Sequence, residues 1–289
     1  MTLEQLRIFV AVAEREHMTR AAEALNVTQS AASAAIAVLE GRHGVALFDR
    51  VGRGIALTEA GRQFLAAARG VLAAADEAEQ ALSDIAGLKR GRLRLAASHT
   101  LAGYWLPRHL AAFHERYPGV EIDLALENTE GAARRLRDGR AELAFVEGVV
   151  EDPALEVSPV SADRLLLVSA HPAARFEAAD LRAARWVMRE PGSGTRSSFE
   201  RVLVDLGLDP NALDVALVAP SNEAVRSAVE AGAGIAALSS LVVETSLTVG
   251  ALHALPFALP ERPLFALRRR DCSRSRASAA LLDLIGAPS

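Results

Sequence analysis

Four short polar clusters stand between an apolar run that reads as a strand and an amphipathic run that reads as a helix. They are Ser98-His99-Thr100, Asn128-Thr129, Ser193-Gly194-Thr195 and Ser221-Asn222. Hydroxyls, amides and helix N-termini at the carboxyl ends of strands suit a small anion, so the pattern suggests a sulfur oxyanion, a phosphate ester or a carboxylate. Each cluster alone is also a good helix cap, because Ser, Thr and Asn accept from the first free backbone N–H groups. Their joint occurrence is what points to a ligand. Gly192-Ser193-Gly194 permits close backbone approach, yet no Gly-Lys-Ser/Thr follows, so it is not a Walker loop. Arg196 adds charge to such a site or faces solvent. Glu147, at the end of another strand, repels an anion unless it bonds a protonated ligand group or orients a neighbour.

A second set lies near the N-terminus. Thr28, Gln29, Ser30 and Ser33 open a helical run, and short polar groups there match the edges of bases in a major groove, with Gln able to bond adenine bidentately. Arg50 and Arg53 lie in a Gly-punctuated segment suited to phosphate contact, with Arg20 and Arg42 as lesser candidates. The competing reading, in which Gln29 and Ser30 only dress a helix N-terminus, loses ground to the elements around them.

Those elements fall into three zones. In residues 1–57, Leu3, Leu6, Phe9, Val10 and Ala13 mark one buried helix face. A second helix begins after Thr19 and stops at Asn26-Val27, and a third is capped by Thr28 and ended by Gly44. Two helices joined by a short turn, then Asp49 to Leu57 as a small hairpin wing, make a winged helix-turn-helix. Residues 58–88 carry a seam of Leu57, Gly61, Phe64, Ala68, Val71, Ala75, Ala78, Leu82 and Ile85, which steps by alternating fours and threes. Such a heptad seam predicts a linker helix of about 45 Å that pairs with a second chain through Phe64, Val71, Leu82 and Ile85. Residues 92–289 alternate strands and helices in two similar halves, which predicts an α/β domain of two subdomains, about 92–161 with 267–289 and about 162–266.

Composition removes several alternatives. The single Cys272 excludes an internal disulfide and a cysteine zinc cluster, and the scattered histidines offer no metal site, so no cofactor is expected. No uninterrupted apolar run is long enough to span a membrane, and Met1-Thr2-Leu3-Glu4-Gln5 places an acid where a signal peptide is basic, so a cytoplasmic protein is expected. The net charge of −4 speaks against a polybasic nucleic-acid binder. By zone, however, Arg7, Arg15, Arg20, Arg42, Arg50 and Arg53 balance Glu4, Glu14, Glu16, Glu23, Glu40 and Asp49, so the head is neutral and the acid excess lies beyond it. Such a head depends on where its arginines sit and on paired copies for avidity.

Phe9 to Glu14, Ala21-Ala22-Glu23-Ala24-Leu25, Thr28-Gln29-Ser30, Leu39-Glu40, Leu47-Phe48-Asp49-Arg50 and Leu57-Thr58-Glu59-Ala60-Gly61 together resemble the DNA-binding domain of LysR-type transcriptional regulators. The remainder resembles that family's effector domain, which is built like a type 2 periplasmic binding protein. Ala34 departs from relatives that carry a long polar side chain there. Arg189 to Arg196, Phe145-Val146-Glu147-Gly148 and Ser221-Asn222-Glu223 resemble members that sense sulfite or sulfur metabolites and members that regulate carbon-fixation genes. The resemblance implies promoter DNA, a small effector and self-association as a homodimer and homotetramer, with RNA polymerase a further candidate partner. A cytoplasmic solute-binding protein or an enzyme on the same two-lobed scaffold is the alternative. The enzyme lacks a Gly-x-Ser-x-Gly elbow, a metal cluster and a dinucleotide fingerprint.

Overall fold

A computed structural model describes residues 1–52, 54–85, 90–148, 150–272 and 274–286, with the side chains of 80 and 83–85 outside the description. The chain divides into two compact units, Met1–Leu82 with Asp138–Arg140, and Ser83–Arg137 with Ala141–Ser289.

The first unit begins with three helices, α1 (Leu3–Arg15), α2 (Met18–Ala24) and α3 (Gln29–His43). Thr2 and Gln5 cap α1 reciprocally. The cap of α2 differs from the expected Thr19: His17 takes the position, its Nδ1 accepting from the Arg20 amide. Thr28 caps α3 through Ala31, and Gly44 ends it in the left-handed region. Leu6, Phe9 and Val12 of α1 meet Ala21 and Ala22 of α2 and Ala32, Ile36 and Leu39 of α3 in one buried cluster. The wing is β1 (Phe48–Val51) paired antiparallel with β2 (Gly54–Leu57).

The long helix α4 (Glu59–Ile85) starts on Thr58, whose Oγ accepts from the Gly61 amide at 2.9 Å and donates to the Ala46 carbonyl at 2.8 Å. Its first turns correct the expected seam. A Cβ on Gly61 would lie 2.1 Å from the Leu47 carbonyl oxygen, so this glycine permits a close approach within the head. The Phe64 ring packs at a tilt against that of Phe9, centroids 4.8 Å apart, and Ala68 is buried in the same cluster. The head's own core therefore takes up the first half of the seam, while Val71 and Leu82 remain 45% and 69% exposed. The Ile85 side chain lies outside the described residues.

The second unit opens with β3 (Gly91–Ser98), a π-helical turn (Leu101–Trp105), α5 (Leu106–Arg116), β4 (Val120–Glu127), α6 (Thr129–Arg137) and β5 (Leu143–Glu147). Parallel pairing places β3 between β4 and β5. Alternation along β5 sends Leu143 and Phe145 toward α5 and Ala144 and Val146 toward α6, as the two-residue period of a strand requires. Next comes the long β6 (Leu155–Ser169), then α7 (Ala178–Ala183), β7 (Arg185–Arg189), α8 (Gly194–Asp205), β8 (Asp214–Ala219) and α9 (Asn222–Glu230). The chain continues through β9 (Ala236–Ser239), α10 (Ser240–Thr248), β10 (His253–Ala254), β11 (Glu261–Arg269) and α11 (Arg276–Ile285).

Among the described residues, the mixed sheet runs β10-β6-β11-β5-β3-β4, with β9 also on β6, while β7 and β8 form a parallel pair, and Trp186 of β7 bridges Ile235 just before β9. Two antiparallel strands, β6 and β11, run through both halves, and their register shifts between Leu264 and Phe265. Leu264 to Leu267 already pair with β5, so the return to the first half comes about three residues earlier than expected. Trp186, Phe199 and Leu203 fill one core of the second half, and Val187, Val225 and Val242 fill another.

Candidate functional site

In the head, Thr28, Gln29, Ser30 and Ser33 are exposed on α3, opposite its buried face of Ala32, Ile36 and Leu39. The Thr28 hydroxyl is committed to capping and lies 3.0 Å from that of Ser30, so Gln29 and Ser33 carry the freer polar groups. Arg50 is exposed on β1 opposite Ile55. Arg53 lies outside the described residues. Glu40, near the end of α3, accepts from the Leu47 and Phe48 amides at 2.7 and 3.2 Å and so fixes the wing to the helix.

In the second unit the four polar clusters converge where the halves meet, around Glu147. That carboxylate is 1% exposed and is surrounded by donors. Ser98 donates to one oxygen, and Thr100 and Thr195 donate to the other at 2.9 and 3.2 Å. The hydroxyls expected to hold a ligand are thus held by a side chain of the protein. Of the roles considered for Glu147, the geometry selects that of orienting its neighbours.

The donors are themselves aligned. Arg189, 3% exposed at the end of β7, grips Glu190 through Nε and Nη2 and donates from Nη1 to the Asn222 carbonyl oxygen at 2.5 Å. Asn222 passes an amide proton to Thr100 at 2.9 Å, and Thr100 donates to Glu147. From the other side Arg262, on β11, donates to Thr195 at 3.3 Å, and Thr195 donates to the same carboxylate. A rotatable hydroxyl flanked by one donor and one acceptor has a single good orientation, so both threonines are set. The carboxylate needs this company, because an unpaired buried charge is costly.

The remaining clusters divide. Thr129 donates to the Glu147 carbonyl at 2.8 Å, and Gly194 packs so closely on that carbonyl that a Cβ would lie 2.0 Å from its oxygen. Asn128 caps α6 through the Gly131 amide and also reaches across to Glu190 and the Pro191 carbonyl. Ser221 only caps α9, the plainer of its two readings. Arg196 bonds Glu200 and the Arg189 carbonyl, so it braces α8 and offers no free charge to a ligand. Ser193 differs from all of these. It precedes α8 without capping it, and its hydroxyl is buried, with the residue 2% exposed and the oxygen lacking any hydrogen-bond partner. Buried polar atoms are nearly always partnered, so an open hydroxyl at a helix N-terminus is a place for a bound acceptor.

His99 lies half-buried between Ser98 and Thr100. Burial lowers its pKa, the Arg189 charge lowers it further, and Glu190, Glu223 and Glu147 oppose the shift. Tyr104, on the π-helical turn, donates to Glu223 at 3.0 Å, and its pKa is raised by burial and by that bond. π-helical turns recur at functional sites, and here the turn delivers a side chain of the first half to the second.

Sequence reasoning missed the roles of Arg189, Asp163 and Arg262. The available signal was a charged residue beside an apolar strand run, in Ala162-Asp163-Arg164-Leu165 and Glu261-Arg262-Pro263-Leu264.

With this geometry in hand, the relatives are informative. The family model described as "Bacterial regulatory helix-turn-helix protein, lysR family" matches residues 3–62, and "LysR substrate binding domain" matches 86–287. The chain belongs to the LysR family. It is 34% identical to the uncharacterized HTH-type transcriptional regulator YeiE of Escherichia coli over 289 residues, covering 98% of this chain and 96% of that one. It is also 34% identical to the probable RuBisCO transcriptional regulator of Cyanophora paradoxa over 260 residues, covering 87% and 80%. Among solved structures, full-length CbnR complexed with its target DNA shares the fold across 99% of both chains, at TM-score 0.70 and 22% identity. The regulatory domain of Synechocystis CcmR in complex with 2-PG matches at TM-score 0.61 and 28% identity, covering 68% of this chain and 96% of that one. This LysR-type regulator thus carries a helix-turn-helix head and an effector domain. Among the described residues no helix is long and apolar enough to cross a membrane.

Proposed function

We propose that this LysR regulator acts in the cytoplasm, without catalysis, and answers to a small anion bound where the two halves of the effector domain meet. The class is a sulfur oxyanion, a phosphate ester or a carboxylate. The observation that carries the reading is the Ser193 hydroxyl, buried and without a partner at the N-terminus of α8. The neighbouring N–H groups and the helix dipole favour negative charge at that point. Asn128 reaches Glu190 and the Pro191 carbonyl close by, while Glu147 holds Ser98, Thr100 and Thr195 in place. The 2-PG bound by the CcmR domain is of the same chemical type as the phosphate ester suggested for this site. On the DNA side, Gln29 and Ser33 read bases and Arg50 and Arg53 contact phosphates. Exposed Val71, Ala78 and Leu82 on α4 form the seam of a homodimer, two of which pair as a tetramer on the promoter. RNA polymerase is the partner that such a tetramer would address.

Calorimetry on the full chain with sulfite, phosphate and 2-PG tests the effector site. Ser193→Ala removes one charge-assisted hydrogen bond, about 1.5–3 kcal/mol, so the anion that binds wild type should bind at least tenfold more weakly. The same change should not lower the melting temperature, because the hydroxyl has no partner to lose. Wild-type affinity in Ser193→Ala would count against the site.

A further inference from the structure

The buried cation on β11 reaches further than the Thr195 hydroxyl it sets. Arg262 is 5% exposed, and its Nε and Nη2 both donate to Asp163 Oδ2, at 3.0 and 2.7 Å. These residues are cross-strand partners on β11 and β6, the two strands that run through both halves. The register shift follows two residues later along β11. The other side of the guanidinium points away from that pair. Its Nη1 donates to the Thr195 hydroxyl at 3.3 Å and stands 4.0 Å from Glu147 Oε1. Asp163 is braced in turn, since its Oδ1 accepts from the Arg164 amide at 2.7 Å and from Ser240, at the start of α10, at 3.3 Å.

One side chain therefore touches the connecting strands, the first turn of α8 and the carboxylate at the end of β5. A planar guanidinium can do this because its five donors leave in fixed directions. An ammonium would supply the charge without the fork. Two buried carboxylates, Glu147 and Asp163, flank one cation, so its loss would leave both with hydrogen bonds but without that countercharge.

We infer that Arg262 is the positioning residue of the effector site: anchored on Asp163, it sets the Thr195 hydroxyl and the Glu147 carboxylate, and so fixes the N-terminus of α8 against the end of β5. Through the same contacts, occupation of the site by an anion reaches the strands that join the two halves. This inference rests on the effector reading for its second clause only.

The experiment uses the full chain and separates folding from positioning. Arg262→Gln alone strands two carboxylates and lowers the melting temperature. Adding Asp163→Asn makes a neutral, hydrogen-bonding pair and should restore the part of that loss due to Asp163, the closer partner at 2.7 Å against 4.0 Å for Glu147. Hydrogen exchange at the amides of residues 194–197 and 147–148, without ligand, should still be at least tenfold faster in the double variant than in wild type. Arg262→Lys should fall between them. Unchanged exchange in the folded double variant would overturn the inference, since Arg262 would then serve the fold alone. Calorimetry with sulfite, phosphate and 2-PG adds the second arm. The anion that binds wild type should bind the double variant at least tenfold more weakly, and equal affinity would refute the positioning role. If wild type binds none of the three, the effector reading loses its support and exchange alone decides the role of Arg262.

Discussion

Gly194→Ala is the sharpest perturbation of the effector site that adds only one carbon. Its Cβ would stand 2.0 Å from the Glu147 carbonyl oxygen and 2.4 Å from Thr129 Oγ1. Contacting heavy atoms prefer roughly 3.5 Å, so α8 must retreat by about 1.5 Å from the end of β5. Neither neighbour can give way cheaply. The carbonyl belongs to a fully buried strand, and the Thr129 hydroxyl is bonded to that same oxygen at 2.8 Å. Overpacking of this kind costs about 1–3 kcal/mol, and a strained or broken buried hydrogen bond adds about 1 kcal/mol. A total near 3 kcal/mol, at about 2–4 °C per kcal/mol for a domain of this size, lowers the melting temperature of the effector unit by roughly 6–12 °C. Scanning calorimetry of the full chain measures it, with Gly41→Ala as the control. Gly41 is an exposed position within α3 where an added Cβ meets nothing within 4 Å, so alanine there should stabilise the head by about 0.5–1 kcal/mol. If Gly194→Ala melts within 1 °C of wild type, the close contact between α8 and β5 is not as described and the reasoning fails.

The other expectations concern DNA, self-association and pH. Arg50→Ala should weaken binding to operator and random DNA alike and reduce the salt slope by about 1 in a titration of ionic strength, whereas Gln29→Ala should lower only the preference for operator. Val71→Glu with Leu82→Glu should shift the mass seen by sedimentation toward a single chain; an unchanged mass would move the dimer contact off α4. Burial holds His99 and His109 below the ordinary value of 6.5, so the unfolded chain binds protons that the folded chain refuses. Their contribution is whole above pH 6.5 and is lost as pH falls toward the folded values. The melting temperature should therefore drop between pH 7 and 5.5, and His99→Gln with His109→Gln should flatten that profile.

The sequence by itself determined the local elements and the chemistry available at their ends. Thr28, Thr58, Gly44 and Ser221 act as caps and stops because capping needs only a side chain and a backbone N–H within three residues, which primary structure supplies. Strand alternation sorted the cores for the same reason. The polar clusters were legible as donors, and the family was legible in the motifs of the head.

Tertiary structure decided which acceptor each donor meets. Ser98, Thr100 and Thr195 all bond Glu147 across sequence separations of 47–49 residues, and Arg262 meets Asp163 across 99. No local pattern carries that pairing, since a buried hydroxyl takes whichever acceptor the fold brings within 3 Å. The same holds on α4, where the heptad named the apolar stripe but not its partner. Phe64 and Ala68 went to the head's own core because α1 and the wing lie within reach, leaving Val71 and Leu82 exposed. Composition and periodicity specify what a side chain can bond. Only the packed chain, by placing distant strands and helices side by side, specifies what remains unbonded, and among the described residues the hydroxyl of Ser193 at the head of α8 is one such group.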